Sequence, residues 1–222
     1  LLAVTSAPPV IEITLPIYET FPYEANTPLI GQGEWLLNSG TSGTIETGNL
    51  DVTGLSPSAE NRFTWTSASM SMRLPLGTNL VSGEIFFSFA MRVDTLGTSF
   101  NTDGTLAGFA NGTTTTFGTK INVRTNGAGG FNLGVSKGGG TNFGDWSSAN
   151  FNVGETIFVV GRYRFNSGNN TDDFCDLWLN PDSVTFGQTS APPATISAVG
   201  NGGSDLSQIN RFFFRSASSS SS

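Results

Sequence analysis

In the two longest patterned stretches of this chain, apolar side chains recur at every second position, and no stretch of useful length repeats them at helical spacing. In residues 84–93 the positions Ile85, Phe87, Phe89, Met91 and Val93 are all apolar, and Ser88 and Arg92 alternate with them alongside Phe86 and Ala90. Residues 156–165 repeat the arrangement: Ile157, Val159, Tyr163 and Phe165 share one direction, Arg162 and Arg164 the other. A period of two puts alternate side chains on opposite faces of a sheet, so each stretch predicts a strand with one buried face. Shorter strands are expected at 48–53, 62–66, 69–74, 120–125, 130–136, 174–179 and 208–215. Between them lie clusters such as Asn126-Gly127-Ala128-Gly129-Gly130, which supply the positive-φ positions that hairpins need. Many short strands punctuated by turns predict an all-β, antiparallel sandwich in one domain.

Composition narrows the partners. Only 12% of residues are charged and 28 are glycine, a balance found in disordered chains as well as all-β ones. The 18 Phe and 4 Trp, spread over the alternating segments, decide for a folded core. A net charge of −7 repels phosphate backbones and anionic lipid, so neither nucleic acid nor membrane insertion is expected. Cys175 is the single cysteine, which leaves no intrachain disulfide, and the absence of histidine removes the commonest general base and metal ligand. Leu1 to Ala7 resembles the end of an export signal, and low Lys with high Gly, Ser, Thr and Asn is typical of exported bacterial surface proteins. An extracellular or cell-surface location is therefore expected.

Three segments carry a family resemblance. Residues 159–181 read as strand, polar loop and strand, ending in Leu177-Trp178-Leu179-Asn180-Pro181. The opening Tyr18-Glu19-Thr20-Phe21-Pro22-Tyr23, followed by Leu29-Ile30-Gly31-Gln32-Gly33-Glu34-Trp35, is the second, and Ser204-Asp205-Leu206-Ser207-Gln208-Ile209-Asn210-Arg211-Phe212-Phe213-Phe214-Arg215 the third. Together they resemble exported LamG-like domains of Verrucomicrobia and related bacteria. The resemblance implies a concanavalin A-like jelly roll over residues 18–215, preceded by a β-prone arm (1–17) and followed by a Ser-rich tail (216–222). Members of the family usually close with one more strand after the Phe-rich one, and here serines stand in its place. If the family topology holds, one strand position is empty or is filled by something else.

Glycoside hydrolysis is the obvious chemistry for this fold. It needs two carboxylates on one strand face, and no glutamate here begins the Glu-x-Asp-x-Glu type of pattern. Without histidine a Ser-His-Asp triad is impossible as well, so the expectation is a protein that is not an enzyme and has no catalytic residues. Asp172, Asp173 and Asp176 form the densest acidic group and are the candidate Ca²⁺ ligands. Turn capping is preferred for them, because Asp176 falls inside the following strand, and no cofactor is expected. Asp103 with Asn101 is a weaker pair of the same kind. Of Trp35, Trp65, Trp146 and Trp178, the one in a loop-like stretch, Trp146, is the candidate for stacking on a sugar ring. Asn111-Gly112-Thr113 and Asn169-Asn170-Thr171 match the glycosylation acceptor pattern.

The favoured reading at this level is structural. Val10, Ile11, Ile13, Leu15 and Ile17 are apolar and β-prone, and the last four share one face. Such an arm could fill the missing strand position of a neighbouring copy and build a filament head to tail, or fold back on its own sheet. The alternative is a secreted carbohydrate-binding, lectin-like module. The expected partners are accordingly other copies of the chain, with glycans as the alternative.

Overall fold

The computed structural model describes residues 15–216, apart from 58, 67–68, 97–103, 113–115, 139–143 and 200–203. The described residues form three sheets, in which every strand pair is antiparallel. The large sheet runs in the order β1 (Leu36–Ser39), β4 (Ser71–Leu80), β13 (Ile209–Arg215), β6 (Gly104–Ala110), β7 (Phe117–Thr125), β8 (Phe131–Lys137) and β9 (Asp145–Trp146). The small sheet runs β12 (Ile196–Val199), β11 (Phe174–Leu179), β10 (Thr156–Arg164) and β5 (Glu84–Arg92). A short pair, β2 (Thr44–Glu46) with β3 (Arg62–Thr64), stands apart. β11 and β12 pack over β8, and β10 packs over β7. The last strand returns to the middle of the large sheet, between β4 and β6. The molecule is an antiparallel β-sandwich of the concanavalin A-like jelly-roll kind, the fold class that alternation predicted.

The two predicted strands behave as their period requires. In β10 the side chains of Ile157, Val159 and Tyr163 are buried, and those of β11 beside them are Cys175 and Leu177. Ile121, Val123, Leu133 and Val135 of the large sheet complete this half of the core. In β5, Ile85 and Phe87 are buried, while Phe89 and Met91 are only half-buried. β5 is the end strand of its sheet, and Phe89 lines the open cleft beside it. The strand expected at 48–53 is absent, and the chain there turns instead, the pairing being made a few residues earlier by β2.

Phe87 is the hinge of the aromatic core. Its ring stacks on Phe89 at 5.9 Å and meets Phe109 edge-on at 5.0 Å and Phe212 at 5.3 Å. Across the strand it lies over Gly161, where an added Cβ would stand 2.2 Å from its Cζ. A second group, Phe21, Trp35, Phe63 and Trp65, extends the stack to Phe214. Trp35 is buried there, and its Nε1–H donates to Glu19 Oε2 at 2.8 Å. Gly161→Val should therefore force Phe87 off its rotamer and destabilise the domain by about 1–3 kcal/mol, read from urea unfolding. A change below ~0.5 kcal/mol would refute this account of the core.

Candidate functional site

Two surfaces stand out, and β13 contributes to both. The first is the open edge of the small sheet. Among the described residues β5 pairs with β10 alone, so its outer N–H and C=O groups are unpaired along an edge. Beside that edge runs a cleft of about 900 Å³. Inside it lie Phe87, Phe89, Phe109, Phe212 and Phe214; Phe86 and Trp178 border it on the outer face of the small sheet, and residues 15–21 lie along its wall. Of the arm residues, Ile17 packs against the core and Leu15 is exposed at the cleft, whereas Val10, Ile11 and Ile13 lie outside the described residues.

The second surface is the outer face of the large sheet. Phe212 and Phe214 point into the core, so Arg211, Phe213 and Arg215 point away from it. Their cross-strand partners place Arg73 on the same face beside Phe213, and Lys120 one strand further on beside Gly108. The row continues through Asn122 and Arg124 to Asn132, Gly134 and Ser136, and ends at Trp146. Half of the chain's 10 basic side chains are therefore on this one face: Arg73, Lys120, Arg124, Arg211 and Arg215. Elsewhere Arg62, Arg92, Lys137 and Arg162 each pair with a carboxylate. Among the described residues none of the five on this face does. Burial, and then the neighbouring Arg211, depress the pKa of Arg73; burial, and then Arg215, depress that of Lys120, whose side chain is 5% exposed. The cations on this face thus destabilise one another's charge.

Trp146 belongs to this row but is not a free platform. It lies in the short edge strand β9, not a loop, packs over Gly134 and carries the Arg124 guanidinium 4.3 Å from its ring centroid. A sugar could stack there only by displacing Arg124. Trp178, on the other sheet, is buried under the chain that follows β11, with Nε1–H donating to Pro192 O at 2.9 Å. The cations were missed in the sequence because they come from β4, β7 and β13, strands far apart in the chain; their isolation from carboxylates has no sequence signal.

The acidic group is rearranged. Asp176 leaves it, taking the Arg162 guanidinium at 2.6 Å and the Ser197 hydroxyl at 2.5 Å on the outer face of the small sheet. Strand alternation does this, since Asp176 points opposite to buried Cys175. Asp205 takes its place, its carboxylate lying close enough to those of Asp172 and Asp173 for one ion to bridge them. A cation is already present: Lys137 Nζ donates to Asp205 Oδ1 at 2.5 Å and to Thr171 O at 2.8 Å, with its side chain 1% exposed. Asp173 accepts from the Tyr163 hydroxyl and from Asn166 N–H, and Asp172 accepts from Gly168 and Asn169 N–H. Desolvation, above all, raises the Asp173 pKa. Turn capping, braced by a buried ammonium, accounts for these contacts. Asp103 and Asn101 lie outside the described residues. Cys175 is fully buried, donating weakly to Gly118 O at 3.7 Å, and desolvation pushes its thiol up to about 12.

Two outcomes are expected. Lys137→Met should cost about 3–5 kcal/mol in urea unfolding, because it leaves Asp205 as an uncompensated carboxylate in a buried setting. Chelator should leave the melting temperature within about 2 °C, whereas a structural ion bound well above its Kd would contribute on the order of 2–4 kcal/mol. A large drop with chelator would assign the three carboxylates to a metal.

No family model matches the chain, and no curated protein matches it in sequence. The LamG-like and bacterial parts of the resemblance thus rest on the sequence motifs. Several solved structures are similar in fold. An endo-β-1,4-glucuronan lyase from the fungus Trichoderma reesei is 12% identical with a TM-score of 0.41, over 86% of this chain and 81% of that one. A PL-14 alginate lyase from Aplysia kurodai is 11% identical with a TM-score of 0.41, over 80% and 74%. The carbohydrate recognition domain of Emp47p is 12% identical with a TM-score of 0.35, over 86% and 94%. At these values the likeness reaches no further than the fold, and what those proteins act on stays with them. The lyases nevertheless overturn one expectation, that the chain is not an enzyme. That exclusion rested on carboxylate pairs and histidine triads, the needs of hydrolysis and acyl transfer.

Proposed function

We propose that the protein is a secreted carbohydrate-binding module whose binding surface is the outer face of the large sheet. The observation that carries this reading is the row of five basic side chains without carboxylate partners, set among amides and hydroxyls across adjacent strands. From β4 to β9 the row crosses five strand spacings, on the order of 24 Å, which suits an oligosaccharide and exceeds a monosaccharide. The polar groups along it are directional. Asn122 Nδ2–H donates to Ser136 Oγ at 2.9 Å, and Asn132 Nδ2–H donates to Ala149 O at 2.8 Å; Asn122 and Ser136 are fully buried, so these bonds tie together the strands beneath the row. No helix among the described residues is long and apolar enough to cross a membrane.

A second reading, a filament subunit built by strand donation, is favoured by the open β5 edge and its aromatic cleft. The donor would be residues 4–17 of a neighbouring copy. The two readings use different surfaces and are separable by experiment. Affinity electrophoresis through gels containing a panel of polysaccharides should retard the protein in at least one of them, with deletion of residues 1–14 leaving that retardation intact. Retardation in none, together with fibres in negative stain that vanish on the same deletion, would reverse the order of the two readings.

A further inference from the structure

On the outer face of the large sheet, the side chains of Arg73 and Arg211 enclose a narrow cleft between β4 and β13, floored by Phe213 and bordered by Asn38, Ser71 and Gly112. Its free volume is about 10 Å³, room for about one water-sized atom. Both guanidiniums bring an N–H donor to it that nothing among the described residues accepts: Arg73 Nε and Arg211 Nε are buried and without partners there. Arg73 spends its Nη1 on Leu37 O, at 3.0 Å, and on Asn38 Oδ1, which fixes the plane of the group and leaves Nε aimed elsewhere. The Gly112 N–H is committed to Asn210 Oδ1 at 3.0 Å, so the open donors are those of the arginines.

Two buried donors of like charge, side by side and unpaired, are unfavourable in the isolated protein. Each lost hydrogen bond and the mutual repulsion both cost free energy. An oxyanion between them would satisfy both N–H groups and cancel the repulsion. The surrounding cations extend the same field along the sheet: Arg215 lies two residues from Arg211 on the same face, followed by Lys120 and Arg124.

We propose that this cleft is a subsite for a carboxylate carried on a sugar ring, so that the ligand of the face is an acidic, uronate-type polysaccharide. The inference rests on the carbohydrate-binding reading and adds the chemical class of the sugar. A carboxylate suits the cleft because one of its oxygens fills the one-atom space and accepts from both Nε–H groups in charge-assisted hydrogen bonds. Further carboxylates along the polymer would meet Arg215 and Arg124, with Lys120 adding its charge from beneath. Neutral glycans would leave all of these donors unmatched, the situation that gives the strongest discrimination between ligands.

The test compares the full chain with Arg73→Gln, with Arg211→Gln and, as a control cation on the other sheet, with Arg164→Gln. The probes are polygalacturonate and alginate (carboxylated), dextran sulfate, laminarin (neutral) and duplex DNA. Expected are binding to a carboxylated polymer that weakens steeply with salt, a loss of about tenfold or more in Arg73→Gln and Arg211→Gln, and no change in Arg164→Gln. Both variants should keep or raise the melting temperature, since each removes one of two repelling charges, so a loss of binding is not a loss of fold. Binding to laminarin as tight as to the carboxylated polymers overturns this inference and leaves the carbohydrate reading standing. Dextran sulfate bound more tightly than either uronate polymer overturns the carboxylate assignment. Binding to none of the polysaccharides, or to duplex DNA more tightly than to any of them, overturns both.

Discussion

The alternation of β13 is the constraint on which the rest of the molecule depends. Phe212 and Phe214 turn inward and join Phe87, Phe89, Phe109 and Trp35 in one continuous aromatic seam. Arg211, Phe213 and Arg215 are then obliged to turn outward, because successive side chains of a strand cannot share a face. A one-residue slip of this strand would bury two guanidiniums and expose two phenyl rings, so the register is strongly specified. The strand sits between β4 and β6, and its pairing fixes where Arg73 and Lys120 stand as well. Core and basic face are two sides of one decision.

The molecule handles its charges differently in different places. Two cations are answered by carboxylates within the fold: Lys137 by Asp205, Arg162 by Asp176 and Glu84. Such pairs are costly to make and costlier to break, and here they tie the 166–173 turn and the chain before β13 to the sheets. On the outer face of the large sheet the answering charge is absent among the described residues, even though carboxylates outnumber basic groups 17 to 10 over the whole chain. Aromatic rings stand in: Arg124 lies over Trp146, and Lys120 and Arg215 lie over Phe117. A ring face holds a cation weakly and leaves its charge available to a ligand. That distinction separates the buried pairs, which brace the fold, from the face on which binding is proposed.

The open edge of β5 follows from the same architecture. The large sheet is wider than the small one, and the cleft lies where β5 has no further neighbour. Phe89, half-buried, lines that cleft, whereas Ile157 and Val159 one strand away are fully buried. Edges of this kind are ordinarily protected by charge, proline or a covering segment. Here the chain from Leu15 to Phe21 borders the cleft without pairing to β5.

What the sequence determined by itself is the class of structure and much of its inside. A period of two in residues 84–93 and 156–165 settles which side chains face the core, since that depends on backbone geometry local to each strand. Cys175 with Leu177 on the inner face, and Arg162 with Arg164 on the outer, were legible for the same reason. Only the tertiary structure decided which strands lie side by side. It placed Arg73 beside Arg211, some 140 residues apart, exchanged Asp176 for Asp205 in the acidic cluster, and laid Arg124 over the tryptophan that looked free to stack on sugar. Strand order is set by packing and loop closure over the whole chain, whereas alternation is set residue by residue; the first leaves no pattern in a single sequence, and the second does.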